Sequence, residues 1–381
     1  MKNDFRNKLF DMLLICMTSC ILSVSICLSS ETEVLIDKLV EKGYLNSTDS
    51  QEIRNEISTI KQKEEQKRKE EEEQKEKKEK QKMEVSGYTQ IMFVTDQSSN
   101  YEPLSIKRAR ISFSKTLNEW ASFKIQPDFA SIASATGGGS VAFREVWVKL
   151  IPQKDFAVFL IGQYHQPFGF ENTFSSSKKK VADTPFYMNK ILTTDYDYGI
   201  QWWGNLSGVN KNLFSWRVGI MNGTGCGTED NRRKDISARI LTSPIKDIEI
   251  GFSAYERNIY ISTSVMHYGG YLKIETKNPF PIFFVGEYVG GKDSKGTKNV
   301  SNIITTLEIN PFGKDSKVAP VIRYEHWDPD DNKTDDEITN NTFGLNFYLD
   351  KSVRILADYT IKTEIPSKKN DKFNIMLQVS Y

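Results

Sequence analysis

From Val85 to Tyr381 the chain alternates between apolar and polar residues, in runs separated by clusters of Gly, Asn, Asp and Ser. Period 2 is the mark of a strand with one apolar and one polar face. The last run is the clearest: Phe373, Ile375, Leu377, Val379 and Tyr381 alternate with Asn374, Met376, Gln378 and Ser380. Sixteen such runs are readable, near 86–95, 105–116, 120–130, 141–151, 156–165, 197–206, 213–222, 234–243, 246–257, 265–276, 282–290, 302–310, 318–327, 341–350, 352–362 and 372–381. Short connections follow even runs, as in Leu117-Asn118-Glu119, Pro152–Lys154 and Asp350-Lys351. Long ones follow odd runs, as in Ser131–Ser140, Gly223–Arg233 and Asp328–Asn340.

An even strand count with short turns at one end and long loops at the other predicts an all-β fold, a 16-stranded antiparallel transmembrane β-barrel. Its apolar side chains face lipid and its polar ones face the lumen. No segment of the mature chain has 18 apolar residues in a row, and mean hydropathy is low at −0.48. That is expected where apolar residues occupy every second position rather than a continuous helix. The last strand is expected to seal against residues 86–95. Its terminal aromatic, Tyr381, reads as a recognition mark for outer-membrane assembly.

Residues 1–30 read as a secretory signal: Lys2, Arg6 and Lys8 precede an apolar stretch from Leu13 to Leu28, and Ser29-Ser30-Glu31 follows. Cleavage near Ser29 or Ser30 is preferred, with Met17-Thr18-Ser19-Cys20 as a loose lipobox-like alternative. Removal would take Cys16, Cys20 and Cys27, leaving Cys226 with no internal disulfide partner. Residues 31–84 form a separate segment, expected in the periplasm. Val34, Leu35, Leu39 and Val40 predict one amphipathic helix, which Gly43 ends. Ser47 or Thr48 can cap a second, carrying Ile53, Ile57 and Ile60. Lys61 to Lys82 holds ten Lys/Arg, eight Glu, four Gln and nothing apolar. That composition suits a solvated helix or charged linker; trimer formation through the Ile53–Ile60 portion is the alternative reading. Residues 85–381 are the barrel domain.

The whole chain has 51 Lys/Arg against 50 Asp/Glu. This near-neutrality speaks against nucleic acid as the main partner. Alternation assigns the charges of the strands: Arg108, Arg110, Lys124, Arg217, Arg239, Arg323 and Arg354 point into the lumen, as do Asp128, Asp247, Glu249, Glu308, Glu325 and Asp358. A charge facing lipid at the midplane would cost about 2–4 kcal/mol. Arg108 and Arg110 can form a guanidinium column for phosphate or carboxylate, or pair with acidic neighbours across the wall. The longest connection, Gln166 to Asp195, carries Pro167-Phe168-Gly169-Phe170 and the run Lys178, Lys179, Lys180. Loops of this length are often functional. It either folds inward and narrows the pore with its lysines, or lies outside as an exposed loop. His165, His267 and His326 lack metal-ligand spacing, the glycines of 137–139 and 223–227 lack a phosphate-loop context, and Asp328–Asn332 reads as a solvated turn. No catalytic set is apparent, so neither enzyme activity nor a cofactor is expected.

The order and spacing of several short motifs resemble the phosphate-selective porin O/P family of outer-membrane channels. They are Gly87-Tyr88-Thr89-Gln90, Arg108-Ala109-Arg110, Gln126-Pro127-Asp128-Phe129, Ile161-Gly162-Gln163 with Pro167-Phe168-Gly169, Asp197-Tyr198-Gly199 and Lys234–Arg239, then Arg323-Tyr324-Glu325 and Asp358-Tyr359. Leu35 to Leu45 is similar to the helical lead of such porins. The resemblance implies a homotrimeric sixteen-stranded porin with an inward third loop, an arginine-bearing second strand at Arg108 and Arg110, and a constriction lysine among Lys178–Lys180. Tyr196 departs from it, standing where the family usually carries Arg before Asp197, and the family's acidic-arginine loop segment is not recognisable in Val181–Leu192. The expected function is passive diffusion of small hydrophilic solutes across the bacterial outer membrane, with a preference for anions such as phosphate. The alternative is a structural or adhesive barrel tied to the cell wall by its N-terminal helix.

Overall fold

The computed structural model describes residues 34–80, 82–133, 139–192, 195–206, 213–229, 231–260, 263–277, 280–293, 295–311 and 317–381. The segment read as a signal, with its three cysteines, lies outside the described residues, as does most of the 137–139 glycine run. The chain divides into two units after Lys80.

In the first unit, residues 34–41 form helix α1 and Ser47–Lys80 form α2. Gly43 ends α1 as expected: its N–H reaches Val40 O at 3.0 Å, and Tyr44 N–H reaches Leu39 O at 2.9 Å. The cap of α2 is Asn46, rather than Ser47 or Thr48. Its Oδ1 accepts the Asp49 N–H at 2.8 Å, satisfying one of the donors a helix start leaves open. The inward position of α1 is Ile36, whereas Val34 and Leu35, placed in the stripe by sequence, are exposed. Ile36, Leu39 and Val40 are spaced i, i+3, i+4 and so share one face. Arg54 and Asp37 tie the two helices together at 2.5 Å.

The second unit is a closed antiparallel barrel in which each strand pairs with its sequence neighbours and β1 pairs with β16. The strands are β1 (Glu84–Asp96), β2 (Leu104–Asn118), β3 (Ala121–Asp128), β4 (Ala142–Gln153), β5 (Ala157–His165), β6 (Tyr196–Leu206), β7 (Phe214–Met221), β8 (Asp235–Thr242), β9 (Ile248–Tyr260), β10 (Thr263–Thr276), β11 (Ile282–Lys292), β12 (Asn299–Ile309), β13 (Val318–Asp328), β14 (Ile338–Tyr348), β15 (Val353–Glu364) and β16 (Lys372–Ser380). The expected alternation of connection length holds only in part: it is plain from β2 to β6, but β9 and β10 lie two residues apart on the long-loop side and β12 and β13 eight apart on the short-turn side. Outward positions are exposed and apolar, among them Ile125, Ile200, Ile240, Phe252, Leu272, Ile322 and Leu377. Inward positions are polar, with Gln90, Asp128, Gln201, Asp235, Asn302 and Asn374 all buried.

Among several register shifts, two bulges bear on the interior. Gln90 pairs with Arg108 but Ile91 pairs with Ile106, so Lys107 is an extra residue on β2. Gln126 pairs with Glu145 but Pro127 pairs with Phe143, so Arg144 is extra on β4. An inserted residue re-aims the side chains next to it. Both insertions deliver a second cation to the interior beside the one that alternation predicts. Asp247 is not in the wall, as expected from sequence, but in the β8–β9 turn, where its φ is 67°. The turn runs on through Asp247, so β9 begins at Ile248, two residues later than the alternation suggested.

The seam joins Tyr88 opposite Ser380 through Asp96 opposite Lys372. Gly87 and Tyr381 exchange N–H···O bonds at 3.0 Å each way, and the Tyr381 ring lies over Gly87. A Cβ on Gly87 would come within 2.4 Å of Arg110 O and 2.6 Å of Tyr381 Cζ. Gly87→Ala is therefore expected to lower barrel stability by about 1–3 kcal/mol through overpacking. The check is the fraction that stays folded in unheated detergent electrophoresis; an unchanged melting profile would remove Gly87 from the seam's requirements.

Candidate functional site

The described part of the connection between β5 and β6, residues 166–192, runs inside the barrel. It contains two short helices, α3 (Phe170–Thr173) and α4 (Phe186–Lys190); a further turn, Ala130–Ala133, follows β3. Its apolar side chains supply the footing. Phe168, Tyr187, Ile191 and Leu192 are buried in one cluster with the wall residues Tyr255, Val289, Val300, Ile304 and Trp327. Each fully buried apolar side chain contributes about 1.5–3 kcal/mol. Ala182 packs on Leu356 and Met376, which explains why Met376 interrupts the polar face of the closing strand. Gly169 has φ 68°, and a Cβ there would meet Glu287 Oε1 and Tyr187 OH at 2.7 Å. Glycine is thus the residue that lets the loop approach the wall at this corner.

Polar anchors follow one rule: wall side chains bind loop backbone. Gln90 Nε2 donates to Ser176 O at 3.2 Å, Gln378 Nε2 to Ser177 O at 3.0 Å, Arg354 to Lys179 O at 3.0 Å, Asn346 Nδ2 to Lys180 O at 3.0 Å and Arg323 to Asp183 O at 2.9 Å. Lys107 donates to Ala182 O. In the opposite sense, Glu287 accepts the N–H of Phe170 at 2.5 Å and of Glu171 at 3.2 Å, and the Tyr187 hydroxyl at 3.2 Å. Asp358 accepts Ala182 N–H and Glu325 accepts Phe186 N–H, both at 2.7 Å. Of the two placements left open by the sequence, these contacts give the inward one, and the lysine run lies within the barrel.

The basic residues singled out from sequence fall into three groups. Arg110, Lys124, Arg239 and Arg323 are taken up by the wall. Arg110 is buried, 2.9 Å from Asp128 Oδ2 and from Tyr88 OH and 3.3 Å from Tyr196 OH. Tyr196, the departure from the family pattern, thus serves as a partner of this arginine. Arg144 shares Asp128 at 3.2 Å. Lys124 pairs with Glu145. Arg239 donates to Thr173 Oγ1, and to Tyr271 OH at 2.7 Å; Tyr271 in turn donates to Glu249 at 2.6 Å. Arg323 pairs with Glu325 at 3.2 Å.

Lys179 and Lys180 are also neutralised, the first within the loop and the second by the wall. Lys179 is buried 3.3 Å from Glu171; burial pulls its pKa below the ordinary lysine value even though Glu171 opposes that. Lys180 sits 2.6 Å from Glu308. Burial pulls its pKa down too, but Glu308 and Tyr348 outweigh it and leave the pKa raised. The third group has no carboxylate partner among the described residues. Arg108 donates to Gln90 Oε1 at 2.8 Å. Arg217 is exposed on the inner face, 5.8 Å from the Trp203 ring. Lys178 is exposed. The column expected of Arg108 and Arg110 is thus split between a half-buried cation and a wall ion pair.

Residues that sequence reading missed are mostly loop holders: Lys107, Gln90, Tyr187 and Glu287. Asp183 belongs with them, 2.9 Å from Lys372 Nζ. Burial raises its pKa, but Lys372 and Lys107 outweigh this and hold it below the ordinary aspartate value. A depressed carboxylate stabilises the folded form above its unfolded pKa and loses that contribution only as pH falls through the depressed value. This latch is expected to hold at neutral and mildly acidic pH and to loosen only below the ordinary aspartate range. Current noise recorded across an acid titration checks it; noise rising already near pH 6 would refute it.

A closed sixteen-strand barrel with an apolar outer belt, a polar interior and an inward loop is an outer-membrane channel for small solutes. The family described as phosphate-selective porin O and P matches residues 84–262, so the family resemblance holds over β1 to β9. Among solved structures, an anion-selective porin from Comamonas acidovorans superposes with a TM-score of 0.59 at 11% identity, covering 79% of this chain and 99% of that one. The outer-membrane channel DcaP of Acinetobacter baumannii gives 0.55 at 13% identity, over 78% and 97%. OmpF of Salmonella typhi in complex with daunomycin gives 0.59 at 10%, over 79% and 98%. At these identities the likeness is one of fold. No curated protein sequence matches the chain.

Proposed function

We propose that the barrel passes small hydrophilic solutes by diffusion, prefers anions, works as a homotrimer and keeps its N-terminal helical unit in the periplasm. The observation that supports anion preference is an imbalance in use. The buried carboxylates Asp128, Glu287, Glu308, Glu325 and Asp358 each already accept bonds from cations or loop N–H groups. Arg108, Arg217 and Lys178 have no such carboxylate among the described residues. The small formal surplus of positive charge is therefore concentrated where water and solute pass. Weak, sequential contacts to such cations allow an anion both to enter and to leave.

The family description supports phosphate as one such solute. A trimer form is described for OmpT of Vibrio cholerae, another barrel of this fold. The test is reversal potential in a KCl gradient across a planar bilayer, followed by phosphate titrated against chloride. A chloride-selective potential is expected, with phosphate lowering the chloride current. A potassium-selective potential, or no conductance steps from folded protein, would sink the reading. Crosslinking of the full chain and of a chain lacking residues 31–84 reports the trimer and the helix's part in it.

A further inference from the structure

On the short-turn side of the loop lies a cavity of about 430 Å³ bounded by Phe174, Lys178, Phe283, Tyr348, Lys351 and Arg354. The Asp350-Lys351-Ser352 turn between β14 and β15 forms its rim, which places it at the periplasmic end. Its volume is within the range of about 300–1,000 Å³ typical of small-molecule sites.

Two features distinguish it from a plain water-filled vestibule. The first is Arg354. This side chain is 6% exposed, yet its bonding partners are neutral: Lys179 O at 3.0 Å and Gln378 Oε1 at 2.9 Å. Its Nε is buried with no partner among the described residues. A buried guanidinium without a carboxylate is costly to keep, and a donor left open inside the wall calls for an acceptor. Lys178 and Lys351 add two further cations with no carboxylate partner among the described residues. Lys180 and Lys273 are already occupied, by Glu308 at 2.6 Å and Glu275 at 3.1 Å.

The second feature is a rigid aromatic wall. Phe174 stacks on Phe170, with centroids 4.9 Å apart at 26°, and on Phe283, 5.6 Å apart at 25°. Phe174 is only half-buried, so an apolar ring held by two neighbours borders a cavity where five cations face two carboxylates, Glu275 and Asp350. Inorganic phosphate would use the cations and leave this wall idle. We propose that the cavity binds a small organic anion with a planar apolar body, of the aromatic carboxylate class: the carboxylate toward Arg354 and Lys178, the ring against Phe174. The proposal rests on the barrel being an anion-preferring channel and adds the class of solute.

Benzoate, acetate and phosphate are the probes, each added to one side of a bilayer holding single channels of the full-length protein, then to the other. Benzoate is expected to reduce the chloride current at roughly tenfold lower concentration than acetate or phosphate, from one side only. Phe174→Leu keeps an apolar side chain but removes the ring, and is expected to cut the benzoate-to-acetate ratio about three- to tenfold. Lys178→Gln is expected to weaken block by both carboxylates together, leaving their ratio in place. Equal block by benzoate and acetate, block that is the same from both sides, or a ratio unaffected by Phe174→Leu overturns the site. If these fail while reversal potentials stay chloride-selective, only the site is wrong. A potassium-selective channel would instead remove the functional reading beneath it.

Discussion

Replacing both Arg108 and Arg217 by alanine is expected to abolish the chloride preference of the channel. A unit charge about 8 Å from the solute path, at an effective dielectric of about 30, acts on a passing ion with about 1.4 kcal/mol, or roughly tenfold in relative permeability. Two such charges weigh heavily in a pore where Arg110, Lys124, Lys179, Lys180 and Arg323 are already paired. Arg108 is held by a neutral amide, and Arg217 rests against an indole ring. Neither removal leaves a buried carboxylate behind, so folding is expected to survive. Arg110→Ala is the contrasting case: it leaves the buried Asp128, 3% exposed, with Arg144 as its remaining cation, and is expected to cost about 1–3 kcal/mol of stability. Reversal potentials for the double variant decide the matter. A preference that persists within a factor of two would transfer selectivity elsewhere, with Lys178 the first residue to examine.

Glu287→Ala carries the second large effect. This one carboxylate receives the N–H of Phe170, the N–H of Glu171 and the hydroxyl of Tyr187, and all four residues are buried. Each buried donor left without an acceptor costs about 1–3 kcal/mol, so the loop's seating is expected to weaken by at least about 3 kcal/mol. The barrel itself keeps its ladder of strand pairs. The expected signature is therefore local: flickering single-channel current and tryptic cleavage after Lys178–Lys180, with little change in the barrel's melting temperature. Glu287→Gln retains an acceptor oxygen and is expected to lie between the two. A resistant loop and quiet current in Glu287→Ala would show that the apolar footing of Phe168, Tyr187 and Ile191 suffices without this anchor.

Alternation made the barrel legible because a strand in a membrane wall has two solvents, lipid and water, and each writes its preference on every second residue. Even the exceptions carried information. Val289, Val300, Ile304, Leu356 and Met376 occupy inward positions yet are apolar, and all are buried beneath the loop. Apolar residues on the lumenal phase of β11, β12, β15 and β16 mark the loop's footprint, and this signal is present in the sequence for a reader who assigns phase first. The bulges beside Lys107 and Arg144 left no comparable trace, because parity cannot register an extra residue until its partner strand is known.

Local chemistry therefore told which residues face inward and how many strands close the wall: side-chain period and turn composition are properties of neighbours in the chain. It could not tell which inward charges remain available to solute. Arg110 and Arg108 are two residues apart on one strand and share a face, but Asp128, Tyr88 and Tyr196 surround one and Gln90 meets the other. Those partners come from β1, β3 and β6, brought together by closure of the barrel. Whether a charge acts on solute or is cancelled by the wall depends on that three-dimensional company, since Coulomb attraction and hydrogen bonding act through space and not along the chain.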